Sequence, residues 1–443
     1  MNNQNKNNSV KYIKAPDVFY KLFDENTLVY KTGKQKVYLY NSIVFDIIMC
    51  FDKYISALDC IEMIGNKYAL EDEDKEWIEE FINSLANEGI LKEENILEER
   101  KGGVELSFYN AILPQYRLYR AQFELTFRCN EKCKYCYCIV DNEREELTLD
   151  EIKDALNQLK ELDVFELTFT GGDLFVRKDA FEILEYAYSL GFLINIFTNG
   201  IAIKDEDFFR LKKIYPRSIH FSIYSHIPEK HDEFTQVKGS FQKTIEAIKK
   251  CVLLSIPVNI KTCVTDFNVD DIDGIMNLAK ELGTTIQVSL SVNAKNDGDK
   301  EPLGFRLKSV SDYASVMKKL SEHIVLNCSS ALDLSRLSEK SGICGAGSNS
   351  ININPYGDVF PCNALLMKCG NIREGKIEDI WQNSQVMKTI REFTMDKVKG
   401  CEGCEHIVTC NYCPGSALIE KGDPLCKYEE ACVLSEAKKL SEE

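Results

Sequence analysis

The sequence predicts an α/β protein: a partial (β/α)6 barrel between an N-terminal winged-helix-like domain and a C-terminal cysteine-rich domain. Three observations predict it. Six β-favouring runs alternate with helical patterns between residues 120 and 295, as a parallel sheet requires. Two short strand-like runs and three helical stretches precede them. Ten of the 18 cysteines fall between residues 328 and 432.

The 443 residues suffice for roughly two to four domains. Hydrophobic residues at 44% and charged residues at 28% allow a sizeable core. A formal net charge of −16 argues against a reader of nucleic-acid phosphates. No apolar run reaches the roughly 18 residues that span a bilayer, so no membrane partner is expected. The polar start lacks a signal-peptide core, and a cytoplasmic location is expected. There, clustered cysteines point to metal rather than to disulfides.

Residues 1–15 are polar. Thr27–Tyr30 and Lys36–Tyr40 read as strands of a hairpin with Gly33 in its connection. Helices are expected at 42–51, 55–67 and 72–87, the last with Trp77, Phe81, Ile82 and Leu85 at helical spacing. Cys50 and Cys60 read as small core residues. Gly89 ends the third helix, and Ile90-Leu91 reads as a final short strand.

The barrel strands are expected at 123–126, 165–170, 192–198, 218–223, 258–264 and 285–290. Helices such as 149–162 and 241–254 fill the gaps. Barrel chemistry sits on the loops at the C-terminal strand ends. The first strand opens into Cys129, Cys133 and Cys136, spaced C-x3-C-x2-C. Three thiolates on one loop suit three irons of a 4Fe–4S cluster and leave the fourth iron open. The second strand ends in Thr170-Gly171-Gly172-Asp173, the third in Thr198-Asn199-Gly200, the fourth in Ser222-Ile223-Tyr224, and the fifth near Thr265. Glycines let a ligand approach the backbone, and Asp173 offers an acceptor to an ammonium group. A structural zinc site, with Cys138 as fourth ligand, is the competing reading of the loop.

Farther on, Cys344 and Cys362 flank the turn Pro355-Tyr356-Gly357-Asp358. Cys401, Cys404, Cys410 and Cys413 then stand as C-x2-C-x5-C-x2-C, followed by Cys426 and Cys432. A zinc ribbon is the alternative here.

The strand-end set resembles radical S-adenosylmethionine (radical SAM) enzymes. Cys129, Cys133 and Cys136 match that family's cluster motif, with Tyr135 as the aromatic before the third cysteine. Gly171, Gly172 and Asp173 match the motif that holds the methionine amino group, where Glu is the usual third residue. Ser222 matches the polar residue of the fourth strand; Asn199 and Thr265 complete the expected cofactor contacts. The resemblance implies that S-adenosylmethionine chelates the open iron and, reduced by an external donor such as flavodoxin or ferredoxin, yields a 5′-deoxyadenosyl radical.

The C-terminal region resembles the SPASM domain, supported by Gly370-Asn371-Ile372 and Trp381. The resemblance implies two auxiliary 4Fe–4S clusters, and thus three in all. Cys401, Cys404, Cys410 and Cys432, better spaced than Cys426, would hold one. Cys344, Cys362 and Cys413 would hold the other. Ser350 stands where a fourth ligand often does, so that cluster has an open iron or an unorthodox ligand such as Cys369. Auxiliary clusters would bind the core peptide or take up the electron left after bond formation.

The N-terminal part resembles the PqqD-like recognition domain of ribosomal-peptide maturases, through Leu28-Val29-Tyr30, Leu39-Tyr40-Asn41, 57–61 and 81–90. That implies a leader peptide added to the hairpin edge as a strand. A winged-helix DNA binder is disfavoured by 11 basic against 18 acidic residues in 1–98, net −7. The expected organisation is therefore a leader-recognition domain at 1–98, a radical SAM barrel at 115–300, a bridge at 301–340 and a SPASM domain at 341–443. As a whole the chain resembles the sactipeptide and ranthipeptide thioether synthases. The preferred reaction is a Cys thioether on a precursor peptide; carbon–carbon crosslinking, backbone excision and epimerisation compete with it. A non-catalytic iron–sulfur peptide scaffold is the reading from another class.

Overall fold

The computed structural model describes residues 10–23, 25–32, 36–93, 116–323 and 342–442. Gly33, Cys328 and the bridge beyond His323 lie outside the described residues. The chain forms two compact units, Met1–Leu106 and Ser107–Glu443.

In the first unit, β1 (Lys11–Lys14), β2 (Val18–Phe23), β3 (Asn26–Lys31) and β4 (Lys36–Asn41) precede α1 (Ile43–Cys50). Then come β5 (Ile55–Ser56), α2 (Ala57–Gly65), α3 (Asp72–Asn87) and β6 (Leu91–Glu93). The strands make two antiparallel sheets, ordered β5-β1-β6 and β2-β3-β4. The expected hairpin is β3–β4, extended by β2, whose Val18, Phe19 and Phe23 are buried. The helix expected from residue 55 starts two residues later. Ser56 caps it, its side chain accepting from the Asp59 N–H while the Asp59 carboxylate accepts from the Ser56 N–H. Ile78, Ile82 and Leu85 of α3 join Ile47, Ile48, Cys50 and Cys60 in the core. Trp77 is not part of that stripe: it is 42% exposed and stacks on Phe81.

The second unit begins with β7 (Arg120–Thr126), α4 (Leu149–Glu161), β8 (Glu166–Gly171), α5 (Ala180–Ser189) and β9 (Leu193–Thr198). It continues through α6 (Asp207–Ile214), β10 (Ser218–Ser222), α7 (Pro228–Thr235), α8 (Ser240–Leu253), β11 (Val258–Cys263), α9 (Ile272–Glu281) and β12 (Thr285–Ser289). These six strands pair in parallel, in chain order. Helix α10 (Val310–His323) follows.

The cysteine-rich region contributes β13 (Ser350–Ile353), β14 (Asp358–Phe360) and β15 (Gly370–Asn371), then α11 (Ile377–Asn383), α12 (Gln385–Arg391), α13 (Pro414–Lys421) and α14 (Glu429–Glu442). Sequence alone treats it as a separate domain. The structure joins it to the barrel: β13 pairs in parallel with β7, and β14 and β15 continue as antiparallel strands of one nine-stranded sheet. Ile351, Ile353, Val359 and Trp381 share a core with Phe123, Phe169 and Ile260. Leu365, Phe393, Tyr412 and Tyr428 form a smaller core among the cysteines.

Candidate active site

The β7 strand delivers the cysteine loop. Its pairing with β8 shifts between Glu124 and Thr126, the local irregularity that lets a chain leave a sheet. The second strand end then grips the loop. The Gly172 N–H donates to the Thr126 carbonyl at 2.7 Å, and the Asp173 N–H to the Arg128 carbonyl at 3.0 Å. A Cβ on Gly171 would lie 2.1 Å from the Thr126 oxygen; one on Gly172, 2.3 Å from the Arg128 oxygen. Gly171 also has φ +131°, which a side chain disfavours. The two glycines thus allow β8 to close onto the cysteine loop.

Asp173 does not face the cavity that these loops enclose. It is buried, and its Oδ1 accepts from the Phe175 N–H at 3.0 Å. Its Oδ2 accepts from Thr198 Oγ1 at 2.6 Å and from the Asn199 N–H at 2.8 Å. The carboxylate expected to meet an ammonium group therefore binds the next strand end instead. Asn199 extends this chain of contacts, its Nδ2 lying 2.6 Å from Asn130 Oδ1 and 3.6 Å from Cys129 Sγ.

A cavity of about 420 Å³ opens over these strand ends. Cys129, Cys133, Tyr135, Cys136, Gly171, Gly172, Asn199 and Ser222 all line it. Thr265 does not: its hydroxyl and N–H both turn to Asn268 Oδ1, at 3.2 and 2.8 Å. Burial pushes the Cys129 thiol up to about 12 and Cys133 well above its ordinary value. Such thiols ionise readily only beside a positive charge, which bound iron supplies. Cys136 is lowered to about 7, chiefly by a hydrogen bond with Cys138. Cys138 lines the same cavity. Among the described residues, no three His, Cys, Asp or Glu side chains converge on one metal ion.

Sequence reasoning missed several lining residues. Glu131 sits within the loop, its carboxylate 3.5 Å from Cys133 Sγ, and burial raises it to about 7. His220, Lys261 and Cys263 line the far wall. The signal for them was present: inward positions alternate along a strand, so Ser222 implies His220, and the neighbouring strand follows by register. Ser222 and Lys261 are register partners of β10 and β11.

The auxiliary cysteines fall into two groups. Cys401, Cys404, Cys410 and Cys432 line one cavity of about 180 Å³. Cys426 is absent from it; its carbonyl accepts the Tyr412 hydroxyl at 2.9 Å. Cys362 lies near Cys413 and Cys344, and burial, then those two neighbours, push its thiol up to about 12. Cys369 belongs to neither group. Its surroundings are Ser384 and Arg391, and its Sγ lies 3.4 Å from the Met367 carbonyl. Ser350 donates to the Gly345 carbonyl at 3.2 Å.

In the first unit, strand β4 is a sheet edge. Tyr38 and Tyr40 stack along it, Tyr40 meets Phe81 edge-on at 5.3 Å, and Phe81 stacks on Trp77. Leu39 is 41% exposed on the same strand.

Residues 123–279 match the Radical SAM superfamily, and residues 344–405 match SPASM, an iron–sulfur cluster-binding domain. The AdoMet-dependent heme synthase of Methanosarcina barkeri is 28% identical over 345 residues, 72% of this chain and 97% of that protein. The antilisterial bacteriocin subtilosin biosynthesis protein AlbA of Bacillus subtilis is 28% identical over 394 residues, covering 85% of this chain and 84% of that protein. The fold is similar to that of Streptococcus suis SuiB, crystallised with precursor peptide SuiA. That match has a TM-score of 0.64 at 15% identity, over 95% of this chain and 99% of that one. The protein is an enzyme of the radical SAM superfamily, with iron–sulfur and S-adenosylmethionine-binding parts. Among the described residues no helix is long and apolar enough to cross a membrane.

Proposed function

We propose that this enzyme matures a ribosomally made precursor peptide by forming a thioether between a cysteine sulfur and a carbon of another residue. The grouping of the auxiliary cysteines carries the reading. One group has four thiols, and the other has three with Cys369 turned away. A three-thiol group suits a cluster with an open iron, which a substrate thiolate fits. Cys129, Cys133 and Cys136 would hold the third cluster. Bound there, it supplies the electron that cleaves S-adenosylmethionine to the 5′-deoxyadenosyl radical.

The chain's own residues do the positioning. Gly171 and Gly172 fix the cluster loop against β8, and Asn199 and Ser222 offer polar atoms to the cofactor. Tyr135 packs edge-on against Tyr224 and Phe234, keeping water from the back of the loop. In the first unit, β4 with Trp77 and Phe81 would take the leader as an added strand. The names of AlbA and of SuiB's precursor peptide support a peptide substrate. An external flavodoxin or ferredoxin would supply electrons.

The second reading is heme formation, favoured by the near-complete coverage of the Methanosarcina protein. That alignment covers 72% of this chain, whereas the subtilosin protein's covers 85%. One experiment separates the readings. The reconstituted enzyme, with reductant and S-adenosylmethionine, is incubated with the peptide encoded by the adjacent open reading frame. Loss of two hydrogens in mass and protection of one cysteine from alkylation support the thioether. An unchanged thiol count with altered mass points to carbon–carbon crosslinking or excision; an unmodified peptide removes the peptide reading.

A further inference from the structure

The far wall of the catalytic cavity carries a cation without an anion. Lys261 projects from β11 into the cavity, its Nζ 4.2 Å from the centroid of the Phe197 ring. Among the described residues no carboxylate pairs with it. His220 lies beside it on β10, its ring edge-on to Phe197 at 4.5 Å. The His220 Nδ1 is buried without a hydrogen-bond partner. Burial, then the nearby Lys261 and Arg217 charges, depress the imidazole's pKa, so it is neutral. Arg217 itself is held by Glu166. Among the described residues the only carboxylate lining the cavity is Glu131, which lies against Cys133 on the cysteine loop.

Buried charges are normally paired, and buried polar atoms normally bonded. Two such groups side by side in a substrate cavity mark a place where the ligand completes the pairing. We propose that Lys261, assisted by His220, forms a carboxylate-binding subsite that receives an acidic side chain of the peptide substrate. The inference rests on the peptide reading above. The methionyl carboxylate of S-adenosylmethionine is a less suitable occupant. Its amino-acid end belongs at the cysteine loop and the end of β8. Lys261 is on β11, three strands farther along the sheet, or about 14 Å at ordinary strand spacing.

The test uses the cluster-loaded enzyme with S-adenosylmethionine bound and two small probes, N-acetyl-L-glutamate and N-acetyl-L-glutamine, titrated calorimetrically. The wild type is expected to bind the acid at least tenfold more tightly than the amide. Lys261→Met is expected to abolish that preference while changing S-adenosylmethionine affinity less than about twofold, and Lys261→Arg to retain it. No preference in the wild type, or a preference surviving in Lys261→Met, overturns the subsite. A tenfold loss of cofactor affinity in Lys261→Met with the acid preference intact overturns it in favour of the cofactor carboxylate. If Lys261→Met does not hold its clusters, the wild-type comparison and Lys261→Arg still decide. A Lys261-dependent acid preference in an enzyme that leaves the precursor peptide unmodified sinks the peptide reading but keeps the carboxylate subsite.

Discussion

Asp173 and Asn199 are joined across two strand ends, Asp173 Oδ2 accepting the Asn199 backbone N–H at 2.8 Å. Through this bond the end of β8 sets the end of β9, and Asn199 in turn touches Asn130 and Cys129. Asp173→Ala removes the acceptor for two N–H groups and one hydroxyl at a buried position. Leaving buried donors unsatisfied costs about 1–3 kcal/mol each. Removing a carboxylate that burial itself disfavours offsets part of this, and the variant is expected to lose about 2–4 kcal/mol of stability by urea unfolding. It should also form 5′-deoxyadenosine at least tenfold more slowly. A variant with normal turnover would show that Asn199 holds its place without Asp173.

The auxiliary groups give a chemical prediction. Cys432 lines the cavity with Cys401, Cys404 and Cys410, and Cys426 does not. Cys432→Ala is expected to lower iron and sulfide toward eight atoms each per chain, from about twelve for three full clusters. Cys426→Ala and Cys369→Ala are expected to retain about twelve. Equal iron loss in Cys426→Ala would reassign the ligand.

Much of this site was legible in the residues. Strand ends and cysteine spacing located the loop, because hydrophobic period and turn residues are local signals. The direction of Asp173 was not. A short carboxylate after two glycines reads equally well as a ligand contact or a cap, and only the proximity of Thr198 and Phe175 decides. Thr265 was misplaced for a related reason: Asn268, three residues on, captures its hydroxyl. Nor did any local pattern reveal that β13 would pair with β7, a contact between residues over 200 positions apart. Trp77 has helical spacing with the core stripe, yet stands one position off its axis, where period alone cannot exclude it.

Asp358 ties the cysteine-rich hairpin to the barrel. It is buried and accepts from Arg144 at 2.6 Å, Lys368 at 2.7 Å and Asn371 Nδ2 at 2.8 Å. Burial alone would raise its pKa, but these donors together lower it from 3.8 to about 2. A depressed carboxyl stabilises the fold above its unfolded pKa and loses that contribution as pH falls through the folded value. The benefit is thus complete above about pH 5 and fades between 3.8 and about 2. Asp358→Asn is expected to cost about 2 kcal/mol, with the same deficit at pH 5 as at pH 8 in urea unfolding. A deficit that shrinks across that range would mean another group controls the hairpin.

The β4 edge gives the last test, for the leader-binding role proposed for the first unit. A peptide strand added there would hydrogen-bond through its main chain and rest side chains on Tyr40, Phe81 and Trp77, whose rings already form a continuous series. Exposed aromatics in such a position dominate binding energy, commonly by about 2 kcal/mol each when truncated. Trp77→Ala is expected to weaken binding of the precursor peptide at least tenfold by fluorescence anisotropy. Leu39→Pro places a proline in the edge strand and removes a main-chain donor, with the same expected direction. A synthetic leader lacking the core should compete with the full precursor at comparable affinity, since recognition on this edge needs only the leader. Undiminished precursor binding in both variants would move the leader site off this edge.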